Sequence, residues 1–275
     1  MKITALVASF NRLNSTVRAV ERLVAQNGSD CSIEVVLVDD GSTDGTPEAI
    51  RRLFPDVTLV ETPGDYYWAA SMRLAEDTAL ESKPDALLWL NDDVQLDADA
   101  ISRLLDCHKL MPDSVIGGAM RDPHTGATTY TGYVRPGRHP MRATPVEPLH
   151  VWQRVDLLNG NLVLVPSSAR HRIGPIDGGF AHAYADFDYC ARARAAGVPV
   201  ILAPGTFGTC PRNPPRRRPE SRAEAVRELH HPKARPPASQ VRYLSRHGGP
   251  EWPLYFLAPY VRLLLTGDPS GGRPR

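Results

Sequence analysis

IEVVLVDDGSTDGT at residues 33–46 and ALLWLNDDV at residues 86–94 decide the fold of this chain. In each, an unbroken apolar run ends in an aspartate pair, Asp39-Asp40 in the first and Asp92-Asp93 in the second. Apolar runs of this length bounded by turn residues read as strands covered on both faces, the habit of parallel sheets flanked by helices. The polar end of such a strand projects into the crevice where open α/β sheets bind ligands. Adjacent carboxylates repel one another and resist desolvation, so a divalent cation or ligand hydroxyls are the expected compensation. Capping of the following helix is the plain alternative, and Asp97 in LDADA is assigned that role. One pair reads equally well as a cap; two such pairs point to a site.

Outward from these runs, strand patterns at residues 3–9, 33–38, 57–61 and 86–90 alternate with helical patterns at 15–26, 47–54, 67–81 and 98–111. The βαβαβαβα order predicts an α/β fold, a Rossmann-like, mostly parallel sheet with helices on both faces. Thr46 before Pro47 reads as a helix start, its hydroxyl accepting from a free backbone amide. Two glycines in DDGSTDG allow a tight turn and close ligand approach. After residues 115–119 regularity weakens, and 120–150, rich in Gly, Pro, Thr and Arg, reads as a β-ribbon or mobile loop beside the site. Strand character returns in VDLLNGNLVLVP, followed by a short helix, a helix over 184–196 closed by Gly197, and a strand over 198–203.

The chain of 275 residues carries a net charge of +1, unevenly spread. Residues 211–275 hold thirteen Lys and Arg against five Asp and Glu, net +8, which leaves residues 1–210 at −7. Twelve of the 26 prolines also fall after residue 210. This divides the chain into a main domain, 1–210, and a basic, Pro-rich extension, 211–275, with RNPPRRRP as an exposed linker. The extension reads either as a solvated tail or as an attraction for phosphates or an anionic membrane surface. No secretion signal is expected from MKITALVASFN. Four scattered cysteines without a CxxC argue for reduced thiols and a cytoplasmic setting, against a disulfide frame or zinc site. No run reaches the roughly 18 apolar residues of a spanning helix. WPLYFLAPYVRLLL is assigned to core packing, with a position on the inner membrane face as its alternative.

VASFNR at 7–12, VDDGSTDGT at 38–46, GDYYWAASMRLA at 64–75, NDDV at 91–94, LNGNLVLVP at 158–166 and ADFDYCARARAAG at 185–197 form an ordered set. Together they resemble the family 2 glycosyltransferases of GT-A fold, in particular bacterial rhamnosyltransferase-like members. The resemblance covers residues 1–205 and implies a metal-dependent, inverting transfer of a sugar from a UDP- or dTDP-linked donor to an acceptor hydroxyl on a glycan, glycolipid or small molecule. No nucleic-acid partner is implied. It assigns Asp39 to the nucleobase and leaves Asp40 to the turn or the ribose, each a charge-assisted hydrogen bond of about 1.5–3 kcal/mol. Phe10, Asn11 and Arg12 would contact the nucleotide, although Ser9-Phe10 stands where Pro-Tyr is usual. Asp93 would bind Mn²⁺ or Mg²⁺ against the pyrophosphate, with Asp92 on the ribose or sharing the ion through water. An Asx-turn is the alternative use of Asn91-Asp92-Asp93.

The resemblance makes Asp186 the general base, the second residue of an acidic pair whose first position here is Ala185. Asp188 is a candidate substrate contact, set against a plain i,i+4 pair with Arg192. Trp68 is either a stacking platform or a buried aromatic. Asn159, Gly160 and Asn161 are candidate sugar contacts or supports of the base-bearing loop, the glycine allowing close backbone approach. His230, of the pair His230-His231, is a candidate metal ligand, and His182 stands near Asp186 in sequence. A sugar-phosphate nucleotidyltransferase would need a glycine-rich first loop, which VASFNRLNS lacks. A non-catalytic nucleotide-sugar or glycan-binding module is the alternative that Ala185 raises. Removal of 211–275 is expected to alter acceptor use more than nucleotide binding.

Overall fold

The computed structural model describes the chain apart from residues 27, 29, 30, 182, 214–220, 222, 223, 225, 226, 228, 229, 231–235 and 267–275. The first half runs β1 (Lys2–Ser9), α1 (Leu13–Val24), β2 (Ser32–Asp39), α2 (Thr46–Leu53), β3 (Thr58–Glu61), α3 (Tyr67–Leu80), β4 (Ala86–Asn91), β5 (Gln95–Leu96), α4 (Ala100–Leu110) and β6 (Val115–Arg121). Short strands follow, β7 (Thr128–Tyr130), β8 (Gly132–Val134), β9 (Thr144–Pro145), β10 (Gln153–Arg154) and β11 (Leu157–Leu158). The chain continues through β12 (Leu162–Pro166), α5 (Ser167–Ile173), α6 (Ala185–Ala195), β13 (Val200–Thr209), α7 (Pro237–His247) and α8 (Trp252–Thr266).

The apolar runs are continuous because each strand feeds two cores. Ile3, Ala5 and Val7 of β1 point to one side with Val20, Leu23, Ile50 and Leu104 from α1, α2 and α4. Leu6 points to the other, with Met72, Ala169 and Tyr189 from α3, α5 and α6. β4 divides likewise, Leu88 and Leu90 against Leu87 and Trp89. This is the period-2 alternation of a strand buried on both faces, and it makes the fold α/β with helices on both sides of the sheet.

The main sheet runs β10-β13-β6-β12-β4-β1-β2-β3, with β5 on β13 and β7 on β6. β4, β1, β2 and β3 are mutually parallel. β12 is antiparallel to both of its neighbours, β4 and β6, so the sheet is mixed beyond its parallel first half. The cause is the turn Asn159–Gly160–Asn161 between β11 and β12, which sends the chain back from the same edge at which β4 ends; the Asn91 amide donates to the Asn161 carbonyl at 3.1 Å.

Two expected caps differ. Gly45, in the left-handed region, precedes α2, and the Thr46 hydroxyl donates to Asp44 instead of accepting a helix amide. The Asp97 carboxylate holds Arg121 through two bonds of 2.7 and 2.8 Å and caps nothing. In both places a nearby polar partner outcompetes the free amides at the helix start. All four cysteines are buried. The expected linker RNPPRRRP lies mostly outside the described residues.

α7 and α8 lie against the body. Tyr243 and Leu244 of α7 are buried with Ala69 of α3, Phe180 of the loop before α6 and Ala185 of α6, and Trp252, Tyr255 and Phe256 of α8 pack onto this cluster. The expected core packing of the apolar C-terminal segment therefore holds for one side of α8 only, since Leu254 and Leu264 on its other side are exposed. Among the described residues no helix is long and apolar enough to cross a membrane.

Candidate active site

Because β1, β2 and β4 are parallel and in register, their C-terminal ends open on one edge: Ser9 pairs with Asp39, and Ala8 with Asn91. The loops that follow bring Phe10, Arg12, Asp40, Asp92 and Asp93 to a single cleft of about 660 Å³. The turn before β12 adds Asn159, Gly160 and Asn161, α3 adds Trp68, and the start of α6 adds Asp186. Acidic residues up to 146 positions apart in sequence thus face the same space.

One guanidinium nitrogen organises the floor. Arg12 Nη1 donates to Asp92 Oδ1 at 2.9 Å and to Asp93 Oδ2 at 2.8 Å. Burial opposes the arginine's charge, but the two carboxylates outweigh it and raise its pKa further. The Cys210 thiol, buried and pushed far up by desolvation, remains protonated and donates to Asp93 Oδ1 at 3.4 Å. Two carboxylate oxygens therefore already converge on one positive centre. That donor set suits a hard divalent cation, which takes oxygen ligands and commonly needs only one or two carboxylates when substrate phosphates complete its shell. Among the described residues no group of three or more His, Cys, Asp and Glu forms a complete cage, so donor oxygens and water would have to supply the rest.

The first aspartate pair divides its labour differently from the expectation. Asp39 is fully buried and holds its own turn, accepting from the Ser42 amide and hydroxyl at 2.7 Å each. Desolvation raises its pKa, and nothing of it faces the cleft where a base would sit. Asp40 is the member on the cleft wall, fastened by Thr62 Oγ1 at 2.7 Å and by the amides of Tyr66 and Tyr67 at 3.1 and 2.7 Å. Gly41 allows this: its φ is +77°, and a Cβ there would lie 2.9 Å from the Gly64 backbone. Asn11 is exposed, and its Oδ1 accepts from the Thr43 amide at 2.8 Å, so it ties the first loop to the second and does not line the cleft.

Asp186 sits in the first turn of α6. Burial in the cleft wall raises its pKa to about 6, although the amides of Phe187 and Gly160 donate to it at 2.9 and 3.1 Å. A carboxyl poised near neutrality and open to a ligand cleft is what a general base requires. Trp68 combines both of its expected uses: its edge packs on the buried Trp89 and its indole N–H donates to Asn91 Oδ1 at 2.9 Å, while the ring lines the cleft. Gly160 lies under it, and a Cβ would come within 2.8 Å of the Trp68 ring. Asn159 Oδ1 accepts from Tyr133 at 3.0 Å, and Asn161 Nδ2 reaches Cys210 Sγ at 3.6 Å.

Two candidates fall elsewhere. Asp188, two residues from Asp186, points the opposite way on the helix and is completely buried; it binds Arg192 at 2.8 Å, Arg246 at 2.6 Å and His247 at 2.8 Å, a structural clamp and no substrate contact. His230 is exposed, 6.4 Å from the Tyr260 ring, and does not line the cleft. His182 and His231 lie outside the described residues. The sequence reading missed Tyr184 and Tyr67, which line the cleft with φ of +78° and +54°. Such backbone is uncommon outside glycine, and it concentrates at functional sites. It also missed Cys210, 117 residues from Asp93, and Ser71, whose buried Oγ has no hydrogen-bond partner and adjoins the cleft. No local pattern signals any of these.

Known proteins agree with this architecture. Residues 4–150 match the family described as glycosyl transferase family 2. The N-acetylglucosaminyl-diphospho-decaprenol L-rhamnosyltransferase of Mycobacterium tuberculosis is 27% identical over 198 residues, which cover 62% of this chain and 64% of that protein. Among solved structures, GalNAc-T7 with UDP, GalNAc and Mn²⁺ superposes with a TM-score of 0.68 at 15% identity, over 98% of this chain and 53% of that one. TarS 1-349 of S. aureus with UDP-GlcNAc gives 0.58 at 13% identity, over 97% and 76%. These similarities identify the fold as GT-A. With more than half of its length matched, the chain belongs to glycosyl transferase family 2.

Proposed function

We propose that the protein transfers a sugar from a UDP- or dTDP-linked donor to an acceptor hydroxyl, with inversion at the anomeric carbon and with a bound Mn²⁺ or Mg²⁺. The observation that carries this reading is the convergence of Asp40, Asp92, Asp93 and Asp186 on one cleft. Asp40 on the wall beside Phe10 suits the nucleoside. Asp92 and Asp93 would hold the cation, which when bound neutralises charge on the departing diphosphate. Arg12, once released from the carboxylates, can pair with phosphate oxygens through its planar fork. Asp186 takes the proton of the acceptor hydroxyl as the acceptor oxygen bonds to the anomeric carbon and the bond from that carbon to the phosphate oxygen breaks. Trp68 offers an aromatic face to a sugar ring.

The similarity to a rhamnosyltransferase that acts on a diphospho-decaprenol acceptor supports dTDP-rhamnose as the donor to test first and a lipid-linked glycan as the acceptor class. A thermal-shift panel of UDP-, dTDP- and GDP-sugars with and without Mn²⁺ tests the binding half, because a ligand of the native state raises its melting temperature. Transfer or slow donor hydrolysis with the stabilising sugar tests the chemistry. Binding of metal and nucleotide with neither activity across the panel would leave a binding module, the outcome to which Ala185 in place of an acid gives its weight.

A further inference from the structure

α8 is apolar around its circumference, and the fold covers only part of it. Trp252, Tyr255 and Phe256 pack on the same buried cluster as the cleft residues Trp68 and Tyr184, and Leu263 is buried. Leu254, Leu257, Val261, Leu264 and Leu265 remain exposed, from 49% at Leu257 and Val261 to 77% at Leu265. Steps of three, four, three and one residues set these five on one helical stripe. A helix that is apolar on every side belongs in a protein interior or a lipid phase, and a continuous exposed apolar stripe marks an interaction surface.

Charge indicates what covers it. Trp252–Thr266 contains no acidic residue and a single cation, Arg262. Residues 211–275 carry a net charge of +8 and residues 1–210 of −7. An anionic surface therefore attracts the C-terminal segment to which α8 belongs and repels the remainder of the chain. Pairing with a second copy would instead bring two segments of +8 together. With 15 residues, α8 is about 22 Å long, short of the roughly 30 Å hydrocarbon core of a bilayer, so it can lie in the interface but not cross. We propose that the outer stripe of α8 docks on an anionic lipid bilayer, with Leu254, Leu257, Val261, Leu264 and Leu265 entering the headgroup boundary. The inner side of the same helix packs on the buried cluster against which Trp68 and Tyr184 of the cleft wall also rest.

Co-sedimentation of the full chain with vesicles tests this without any sugar donor or acceptor, so its outcome is independent of the transferase reading. The chain is expected to bind vesicles made of equal parts phosphatidylglycerol and phosphatidylcholine, to bind phosphatidylcholine alone more weakly, and to be partly released by added salt. The double substitution Leu257→Ser with Leu264→Ser, at exposed positions, is expected to lower partitioning at least about tenfold with an unchanged melting temperature. Failure of the wild type to bind anionic vesicles overturns the proposal, as does equal binding by the double variant. So does a lipid-free, concentration-dependent dimer in sedimentation velocity that the double variant abolishes, which would assign the stripe to a second copy.

Discussion

At the scale of single residues, Asp186 and Asp188 show how far a motif can be read. Both were visible in ADFDYCARARAAG, and their spacing of two placed them on different sides of a helix. Which side met a cleft and which met two arginines and a histidine depended on α7, a segment remote in sequence. Asp186→Asn is expected to lower turnover by roughly 10²–10⁴ while nucleotide affinity, measured by calorimetry, persists. In the wild type, turnover should rise with pH through about 6 as the carboxyl loses its proton. Stability moves the other way. With the folded pKa raised above the unfolded value of about 3.9, the native state binds the extra proton between those limits, so stability falls as pH rises through that window. Asp186→Asn should therefore melt higher than wild type above pH 6, with the difference vanishing in acid. Asp93→Asn is expected to weaken Mn²⁺-dependent UDP or dTDP binding; equal affinity with and without Mn²⁺ in wild type and variant would remove Asp93 from the cation site.

Elements decide how these residues are held. The turn between β11 and β12 needs glycine because Trp68 lies against it, and Trp68 cannot easily yield while its indole is bonded to Asn91. Gly160→Ala should cost about 1–3 kcal/mol from overpacking and weaken donor binding, read by chemical denaturation and by titration with the sugar nucleotide. α7 is the brace of the base-bearing segment. Arg242 and Arg246 hold Asp177, the Ser239 hydroxyl accepts from the Ala181 amide, Tyr243 stacks on Tyr184, and Arg246 and His247 close on Asp188. Burial opposes ionisation of Asp177, but Arg242, the Gly179 amide and Arg246 outweigh it and hold its pKa down to about 2. The stability this supplies is present above the unfolded value and is lost as pH falls toward 2. Arg192→Met should destabilise, by less than the about 3–5 kcal/mol of a wholly abandoned buried charge, because Arg246 and His247 still reach Asp188; a urea titration measures it. The i,i+4 pair was legible from spacing, whereas the rest of the clamp was not, since partners 58 and 59 residues away leave no periodic signal.

For the whole molecule, composition separated a basic C-terminal segment and suggested that its removal would alter acceptor use more than nucleotide binding. The burial of Tyr243 and Leu244 and the clamp on Asp188 argue otherwise. Deletion of 211–275 should lower the melting temperature and impair nucleotide binding and transfer together, which thermal shift and a donor-hydrolysis assay would show; loss of acceptor use alone would restore the view of a separable tail. What the sequence by itself determined was the alternation of strands and helices and the placing of Asp40, Asp92 and Asp93 at strand ends, because hydrophobic periodicity and strand termination are local properties written in neighbouring residues. Only the tertiary structure decided that β12 returns antiparallel beside β4, that Asp39 turns inward while Asn11 ties two surface loops, that Arg12 draws Asp92 and Asp93 together and that α7 clamps α6. These outcomes depend on which distant groups compete for the same buried donors and acceptors, and that competition exists only once the chain has closed on itself.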